Sequence, residues 1–274
     1  MCVFEHHFMR QNMRRKILIA VGVALLVAVA GCNTSADVNP TPTDDPATEQ
    51  TMDWHNATAS AVGEAGSYTL HVNSSSDTSG PDGENVVVTN ETSRVDLASD
   101  LGVRTTGQTF SRAGQRRTST TTVYTENKTS YRQLNASQGV SYSRQTGSAE
   151  GYGAIQPVNV SGYSGNFSVI AESFEWAKRG TATIDDTETV RYTSTNLTDS
   201  SALLEREDVT VSNASATSYV SDDGVVRRLS LEYTLQQNDT TTQFELTHRL
   251  SDIGSTAVEE PEWIAKAQTT GTPP

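Results

Sequence analysis

The sequence predicts a protein of the α+β class that is mainly β, with a curved antiparallel sheet, or half-barrel, and a few covering helices. Three observations support this prediction. Successive segments rich in Val, Thr and Tyr are separated by Gly or Asn, as strands are separated by turns. Several segments alternate apolar and polar residues, which is typical of a sheet with one wet face. Two stretches with helical spacing, at 53–65 and 166–179, flank and interrupt the strands.

The elements are predicted in order from these patterns. Residues 53–65 repeat apolar side chains at helical spacing, and Tyr68, Leu70 and Val72 alternate with polar residues in the first strand. Further strands are predicted over residues 85–97, 102–111, 116–126, 128–135 and 139–146.

The second half of the domain breaks this rhythm once. A helix is predicted over 166–179, with Gly180 as the glycine that ends it, followed by a strand over 181–194 and a short helix over 200–207. A hairpin then turns at Asn238 and Asp239, and Pro-Glu-Trp at 261–263 opens a last short helix.

The amino-terminal residues have the pattern of an export signal with a lipid attachment site. Basic residues at 14–16 precede an apolar run at 17–30, which rises only about 21 Å as a helix and is too short to cross a hydrocarbon core of about 30 Å. Residues 29–32 read Val-Ala-Gly-Cys, which resembles a lipobox whose cysteine, Cys32, is alkylated by a lipid. The alternatives are a cleaved signal followed by an incidental cysteine, or an uncleaved anchor. The basic residues also resemble a twin-arginine signal.

The chain is therefore predicted to be lipid-anchored at the cell membrane, with its domain facing the exterior. Its true start is predicted at Met13, because a conventional signal begins there. The predicted parts are a signal peptide at 1–31, the lipidated cysteine and a disordered tether at 32–52, the folded domain at 53–267 and a disordered tail at 268–274.

The composition is acidic, with 20 Lys and Arg against 33 Asp and Glu and a formal net charge of −13. Such a chain lacks the basic footprint of a nucleic-acid-binding protein, so no nucleic-acid partner is predicted. Few lysines with abundant Asp, Glu and Thr resemble the secreted proteins of halophilic archaea, in which carboxylates hold hydration water. An ordinary acidic secreted protein is the alternative.

The order of helix, strand meander, central helices and closing hairpin resembles the lipoprotein-carrier fold of LolA and LppX, a curved antiparallel sheet whose concave face is plugged by helices. The resemblance rests on Gly-Ser-Tyr-Thr-Leu at 66–70, on Asp-Asp-Gly-Val-Val-Arg-Arg-Leu at 222–229, and on Ser-Asp-Ile-Gly at 251–254 leading to Pro-Glu-Trp at 261–263. With the lipobox, the chain is similar to a haloarchaeal family of surface lipoproteins of unknown function. Relatives with this fold hold acyl chains under the sheet, which implies lipid handling.

An apolar ligand cavity is predicted between the alternating strands and the helix over them. Side chains at alternate positions of a strand share one face, and an apolar face this wide must be covered. The candidate cavity residues are Tyr68, Leu70, Val72, Phe167, Ile170, Phe174, Leu229, Leu231, Tyr233, Leu235, Phe244, Leu246 and Leu250.

Residues that could carry chemistry give no catalytic pattern. His55, His71 and His248 lie far apart in sequence without zinc-ligand spacing, and His248 is expected in the core or lining the cavity. No nucleophile motif occurs, and the Asp185-Asp186 and Glu259-Glu260 pairs are expected to be solvated acidic surface. The protein is therefore predicted not to be an enzyme and to use no metal or cofactor.

Residues 101–149 are an exception to the acidity, with six arginines and one lysine against Glu126 alone. Three tyrosines, Tyr124, Tyr131 and Tyr142, are interleaved with them. One interpretation is a strand face that meets anionic headgroups or an acidic partner. The interpretation favoured by the sequence is that these arginines pair internally with the acidic remainder of the chain.

Asn-X-Ser/Thr sequons are far more frequent than the Ser and Thr content alone explains, which indicates N-glycosylation of an exported surface. The candidate acceptors are Asn33, Asn56, Asn73, Asn90, Asn127, Asn135, Asn159, Asn166, Asn196, Asn213 and Asn238.

The predicted function is that of a lipid-anchored, glycosylated cell-surface lipoprotein that binds a hydrophobic ligand or lipid. The alternative is a structural or interaction glycoprotein with a filled core and no ligand. A binding protein needs a continuous apolar cavity, which a structural protein does not. The sequence predicts the membrane as partner through the lipid anchor and names no protein partner.

Overall fold

A computed structural model describes residues 54–81, 83–146, 170–200 and 208–269. The predicted signal, the tether with Cys32, and residues 201–207 of the helix predicted over 200–207 lie outside these residues. The elements, in chain order, are α1 Trp54–Ala65, β1 Ser67–Ser79, β2 Asn85–Asp96, β3 Leu101–Arg112, β4 Gln115–Glu126, β5 Thr129–Ala136, β6 Gly139–Thr146, β7 Ala177–Ile184, β8 Thr187–Ser194, β9 Thr210–Ser221, β10 Val226–Gln237, β11 Thr240–Ser251 and α2 Ile264–Thr269.

A single sheet contains all eleven of these strands, in the order β6-β5-β4-β3-β2-β1-β11-β10-β9-β8-β7. Every neighbouring pair is antiparallel. Strands β1–β6 form one meander and β7–β11 a second, and the two meet where β1 pairs with β11. The sheet is curved and open, with β6 and β7 at its edges. The predicted class, a mainly β protein with a curved antiparallel sheet and few helices, is confirmed.

Helix α1 lies on one face of the sheet and covers the main hydrophobic core. Trp54 and Val62 of this helix are 7% and 1% exposed. Thr58 is also fully buried, and its Oγ1 accepts a hydrogen bond of 3.0 Å from the backbone N–H of Val226 in β10. The helix ends where Gly66, with φ of +73°, turns the chain and donates its N–H to the Val62 carbonyl at 3.2 Å.

Helix α2 packs on the opposite face, against β5 and β6, and closes a second, smaller core. Tyr124 and Tyr131 are buried there beneath Ile264 and Ala267 of the helix. The sequence predicted this helix but not the face that it covers. Because α2 runs to residue 269, it also includes the first residues of the predicted disordered tail.

The helix predicted over 166–179 is wrong beyond residue 173. Of the described residues in that range, 170–173 are helical, whereas β7 begins at Ala177. Gly180, predicted to end the helix, has a φ of +92° inside β7, where the pairing with β8 shifts register. It therefore accommodates a β-bulge and not a helix end.

The helix stops after residue 173 because its end bonds to a segment distant in sequence. The Ser173 carbonyl accepts a hydrogen bond from the N–H of Thr198 at 2.8 Å, and the N–H of Glu175 donates to the Asn196 carbonyl at 3.1 Å. These bonds draw the chain into an extended conformation. Arg179 consequently lies in β7, rather than one helical turn from Glu175.

The single strand predicted over 181–194 is a hairpin, in which β7 and β8 are joined by Asp185 and Asp186. Both residues have positive φ, 49° and 61°, as a two-residue type I′ turn requires. Both aspartates are exposed, as predicted for solvated acidic surface, and Asp185 also forms an ion pair with Arg249 of β11, with Nε to Oδ2 at 2.8 Å. The carboxylate thus fastens this hairpin to the centre of the sheet.

Two short turns join β9, β10 and β11, and the second lies at Asn238 and Asp239, where the sequence predicts a hairpin turn. Asp222, Asp223 and Gly224 connect β9 to β10, and Gly224 supplies the positive φ of 82° that the turn needs. Asn238 and Asp239 connect β10 to β11, with Asn238 at φ of 51°. These short connections fix the register of the three strands that carry most of the apolar residues discussed below.

Candidate functional site

The pairing of β1, β11 and β10 brings the predicted apolar strand residues together on one face, called the apolar face below. Leu70 lies opposite Leu250, and His248 lies between Val72 of β1 and Leu229 of β10. Because alternate residues share a face, the other predicted positions of these strands follow. The predicted strand residues on the apolar face are Tyr68, Leu70, Val72, Leu229, Leu231, Tyr233, Leu235, Phe244, Leu246 and Leu250.

Burial along the apolar face decreases from one end of the strands to the other. Near α1, Leu250 and Leu229 are 0% and 2% exposed, and they belong to the main core. Towards the β10–β11 turn, Leu235, Phe244 and Leu246 are only partly buried, although they pack against the same core. The face therefore has a closed end beneath α1 and a partly open end near the turn.

Aromatic residues mark both ends of the apolar face. Tyr233 stacks on Phe244 with ring centroids 5.2 Å apart, at the partly open end. Burial raises the pKa of Tyr233 to about 12 and raises that of Tyr68, at the closed end, still further. Both tyrosines are therefore neutral hydrogen-bonding groups at physiological pH.

Two of the three predicted covering residues can be placed. Ile170 and Phe174 are 6% and 4% exposed and belong to the main core. Phe167 lies outside the described residues. Trp176 packs edge-on against Trp54 of α1 at 5.2 Å, so the segment that follows the short helix is joined to α1. The same face is thus covered by two separate pieces of chain.

A polar strip on β1, β2 and β3 borders the apolar face and was not predicted from the sequence. Ser74 of β1 lies opposite Thr89 of β2, and both are about as buried as the core, at 1% and 2% exposure. Among the residues that the structure describes, neither the Ser74 Oγ nor the Thr89 Oγ1 has a hydrogen-bond partner. Next to them, Glu91 accepts hydrogen bonds from Ser93 Oγ at 3.3 Å and from Thr106 Oγ1 at 3.0 Å. The strip combines free hydroxyl groups with a carboxylate.

His248 lies on the apolar face and is 7% exposed. Burial lowers its pKa to about 4, so the imidazole is neutral at neutral pH. His71 projects from the opposite face, where its Nδ1 is 3.3 Å from Thr92 Oγ1, and burial followed by the charge of Arg249 lowers its pKa. The structure does not bring these two histidines together. Nothing of the His55 side chain is described.

The basic segment 101–149 divides into buried and exposed parts. Its tyrosines do not form a headgroup-facing surface, because Tyr124 and Tyr131 are covered by α2. Arg144 stacks on the Tyr131 ring with its Cζ 5.9 Å from the centroid. The internal pairing expected for the arginines fails at the tip of the β3–β4 hairpin. There, within the described residues, Arg112, Arg116 and Arg117 have no ion-pair partner.

The described sequon asparagines lie at the surface, with one exception that is half-buried. Asn73 is that exception, and it lies directly opposite Asn90 on neighbouring strands. Asn33, Asn159 and Asn166 lie outside the described residues. The exposed sequon asparagines are Asn56, Asn90, Asn127, Asn135, Asn196, Asn213 and Asn238.

No cluster of three or more His, Cys, Asp or Glu side chains capable of holding a metal ion occurs in the described part of the chain. The described helices are also too short or too polar to cross a membrane. The Glu259-Glu260 pair lies on the extended segment before α2 and is exposed.

The fold and its faces define a class: a mainly β protein made of one curved, open antiparallel sheet whose apolar face is covered by a helix. The chain belongs to DUF7537, described as a family of unknown function, whose profile matches residues 17–267. The prediction of a family of unknown function is confirmed to this extent, whereas its haloarchaeal and surface-lipoprotein character stays a prediction. A comparison with curated proteins finds no match.

Several solved structures are similar to this chain at low identity. LprF from Mycobacterium bovis has 11% identity and a TM-score of 0.37, over 78% of this chain and 97% of that one. The lipoprotein LppX of Mycobacterium tuberculosis has 15% identity and a TM-score of 0.30, over 77% and 98%. A putative outer membrane lipoprotein-sorting protein domain from Vibrio parahaemolyticus has 8% identity and a TM-score of 0.27, over 77% and 98%.

Proposed function

We propose that this protein is a lipid-anchored, N-glycosylated cell-surface lipoprotein that binds a hydrophobic ligand or lipid on its apolar face. It acts by binding and not by catalysis. The anchor is the lipidated Cys32, which the lipobox pattern at residues 29–32 supports. The exposure of the described sequon asparagines other than Asn73 supports glycosylation, because a transferase needs access to them.

The burial gradient of the apolar face is the observation that carries the binding proposal. Leu235, Phe244 and Leu246 are continuous with a closed core and yet keep part of their surface exposed. Covering 100 Å² of such apolar surface contributes about 2.5 kcal/mol, so an acyl chain laid along these residues gains affinity from their desolvation. A face of this kind therefore favours an apolar ligand.

The polar strip beside this face indicates the other half of the ligand. The Ser74 and Thr89 hydroxyls are buried without a partner in the described part of the chain, and an unsatisfied buried hydroxyl costs about 1–3 kcal/mol. A ligand with a carbonyl or hydroxyl group next to its apolar chain would satisfy them and would also reach Glu91. We therefore propose an amphiphile, such as a glycerolipid, rather than a pure hydrocarbon.

The closed end of the face favours the alternative function. Leu70, Leu229 and Leu250 are 4%, 2% and 0% exposed, as in a core that is already filled. If the partly open end were equally filled, the protein would be a structural or interaction glycoprotein. The two functions differ in whether a lipid occupies the face.

The test is lipid extraction from protein purified gently from its native membrane, followed by mass spectrometry. Leu246→Trp adds bulk at the partly open end, so it should reduce co-purifying lipid severalfold while the fold survives. Val88→Trp is the matched control, because Val88 is half-buried on the opposite face. Circular dichroism and thermal unfolding show whether each variant folds.

The two functions predict different results. Wild-type protein and Val88→Trp should carry the same stoichiometric lipid, and Leu246→Trp should carry less. A pyrene-labelled phosphatidylcholine added to the delipidated protein should show the same order of binding. If wild-type protein carries no lipid and does not bind the labelled lipid, the binding proposal is wrong and the filled-core alternative holds.

A further inference from the structure

The tip of the β3–β4 hairpin, residues 110–117, carries three arginines and no acidic residue. Arg112, Arg116 and Arg117 are all exposed. Within the described residues, none of their guanidinium groups takes part in a hydrogen bond or ion pair. In a chain with a net charge of −13, a group of arginines without acidic partners is available to an external anion.

The tip has a defined turn geometry, and its β4 side extends beyond the end of β5. Ala113 and Gly114 form a two-residue turn with φ of 49° and 77°, which is the stiff type I′ geometry. Pairing of β4 with β5 begins only at Ser119, so residues 115–118 have no neighbouring strand on that side. The arginines are therefore presented on a rigid projection and not on a loose loop.

An exposed aromatic residue lies within the same tip. Phe110 is 39% exposed and lies directly opposite Arg117 in the β3–β4 pairing. An aromatic side chain beside arginines is the combination that membrane-surface segments use, with the ring at the acyl boundary and the cations at the phosphates. A site for a small soluble anion would not need the exposed ring.

The neighbouring elements contribute little opposing charge. On the β2 side, Asn85 lies opposite Arg112, and the exposed Glu84 immediately before it is the adjacent carboxylate. On the other side, residues 137–138 of the β5–β6 turn are uncharged. The tip and its described neighbours therefore keep a net positive charge.

We propose that this hairpin tip docks on a membrane surface that contains anionic phospholipids. The guanidinium groups would bind phosphate oxygens through paired hydrogen bonds, and Phe110 would enter the boundary between headgroups and acyl chains. The proposal is independent of ligand binding on the apolar face. A second copy of this acidic chain is the competing occupant, and the experiment separates the two.

The experiment places a tryptophan reporter at the tip of the full chain by Phe110→Trp. The protein is mixed with vesicles of phosphatidylcholine with brominated acyl chains, either alone or with an equal part of phosphatidylglycerol. Bromine quenches a tryptophan that reaches the acyl boundary. The wild-type chain measures the quenching of its three native tryptophans, which is subtracted.

The charge requirement is tested by adding Arg112→Gln, Arg116→Gln and Arg117→Gln to the reporter chain. Each arginine near an anionic surface is worth a factor of about five, so affinity for the anionic vesicles should fall about 100-fold. The matched control removes three exposed positive charges elsewhere through Arg94→Gln, Lys178→Gln and Arg191→Gln. This control should keep the reporter quenching.

Salt supplies a further check, because raising it from 0.1 M to 1 M shortens the Debye length from about 10 Å to about 3 Å and should weaken the docking. Reporter quenching that is equal in both vesicle types, or that survives the three tip substitutions, would overturn the proposal.

Sedimentation velocity measures whether the tip instead binds a second copy of this chain. Tip-dependent self-association without vesicle quenching would assign the tip to a second copy. Aggregation of the tip variant alone would instead show that the arginines protect the open edge of β4.

Discussion

The neutral state of His248 makes the stability of this protein depend on pH in a defined direction. The side chain is 7% exposed between Val72 and Leu229, and burial lowers its pKa to about 4. In the unfolded chain a histidine has a pKa of about 6.5. Since the unfolded chain binds this proton more tightly, the stabilising contribution is fully present above pH 6.5 and is lost as the pH falls towards 4.

The size of this contribution follows from the two pKa values. Their difference corresponds to about 3 kcal/mol of unfolding free energy, lost between pH 6.5 and pH 4. This is a large share of the stability of an ordinary domain, which is about 5–15 kcal/mol. Glu91 lies on the same side of the sheet, and in the strand pairing Val72 of β1 stands between it and His248.

The assay is urea unfolding at pH 7, 5.5 and 4, followed by tryptophan fluorescence, for wild type and His248→Gln. The glutamine is polar and similar in length but does not titrate, so the variant should lose about 3 kcal/mol less than wild type across this range. His71→Gln on the opposite face is the control and should change the pH dependence much less. Parallel pH profiles for wild type and His248→Gln would refute the reasoning.

Two further predictions concern the surface chemistry. Cys32→Ser should release the protein from membranes if the lipid is its anchor, since two acyl chains hold a protein stably where one is marginal. Membrane fractionation measures this release. If the variant stays in the membrane fraction, the apolar run at 17–30 is the anchor. Intact-mass analysis of native protein should exceed the polypeptide-plus-lipid mass by glycan increments, and Asn238→Gln should remove one increment because that asparagine lies exposed in a hairpin turn. A mass explained by polypeptide and lipid alone would mean that the excess of sequons is compositional.

Local pattern was sufficient to predict most of the sheet. Strands β2 to β6 were placed within one or two residues because alternation, β-branched residues and short turns are all local signals. The helix over 166–179 failed because helical spacing is also a local signal, whereas the bonds of Ser173 and Glu175 to residues 196–198 are not. The turn inside the strand predicted over 181–194 was missed because the segment is mostly polar. Two further polar residues, Asp185 and Asp186, therefore do not stand out in its pattern.

The candidate site was half predictable for a similar reason. Apolar residues at alternate positions identify the apolar face by themselves. The polar strip could not be found this way, because Thr89, Glu91 and Ser93 look like solvent-facing residues until the register places Glu91 opposite Val72. In the same way, Tyr124 and Tyr131 looked like surface residues among arginines until α2 was seen to cover them.

The pairing of β1 with β11 makes the completion of this fold depend on the completion of the chain. Thr69, near the start of β1, and Thr256, beyond the end of β11, are 187 positions apart in the sequence. Their Oγ1 atoms nevertheless lie within hydrogen-bonding distance, at 2.9 Å. Each meander can assemble hairpin by hairpin as it emerges, but the central seam closes only when the last strand arrives. Until then, the backbone N–H and C=O groups along one edge of β1 have no partner strand and can pair with another extended chain. A chain that stops before β11 therefore keeps an unpaired strand edge at β1, and a chain that includes β11 closes it.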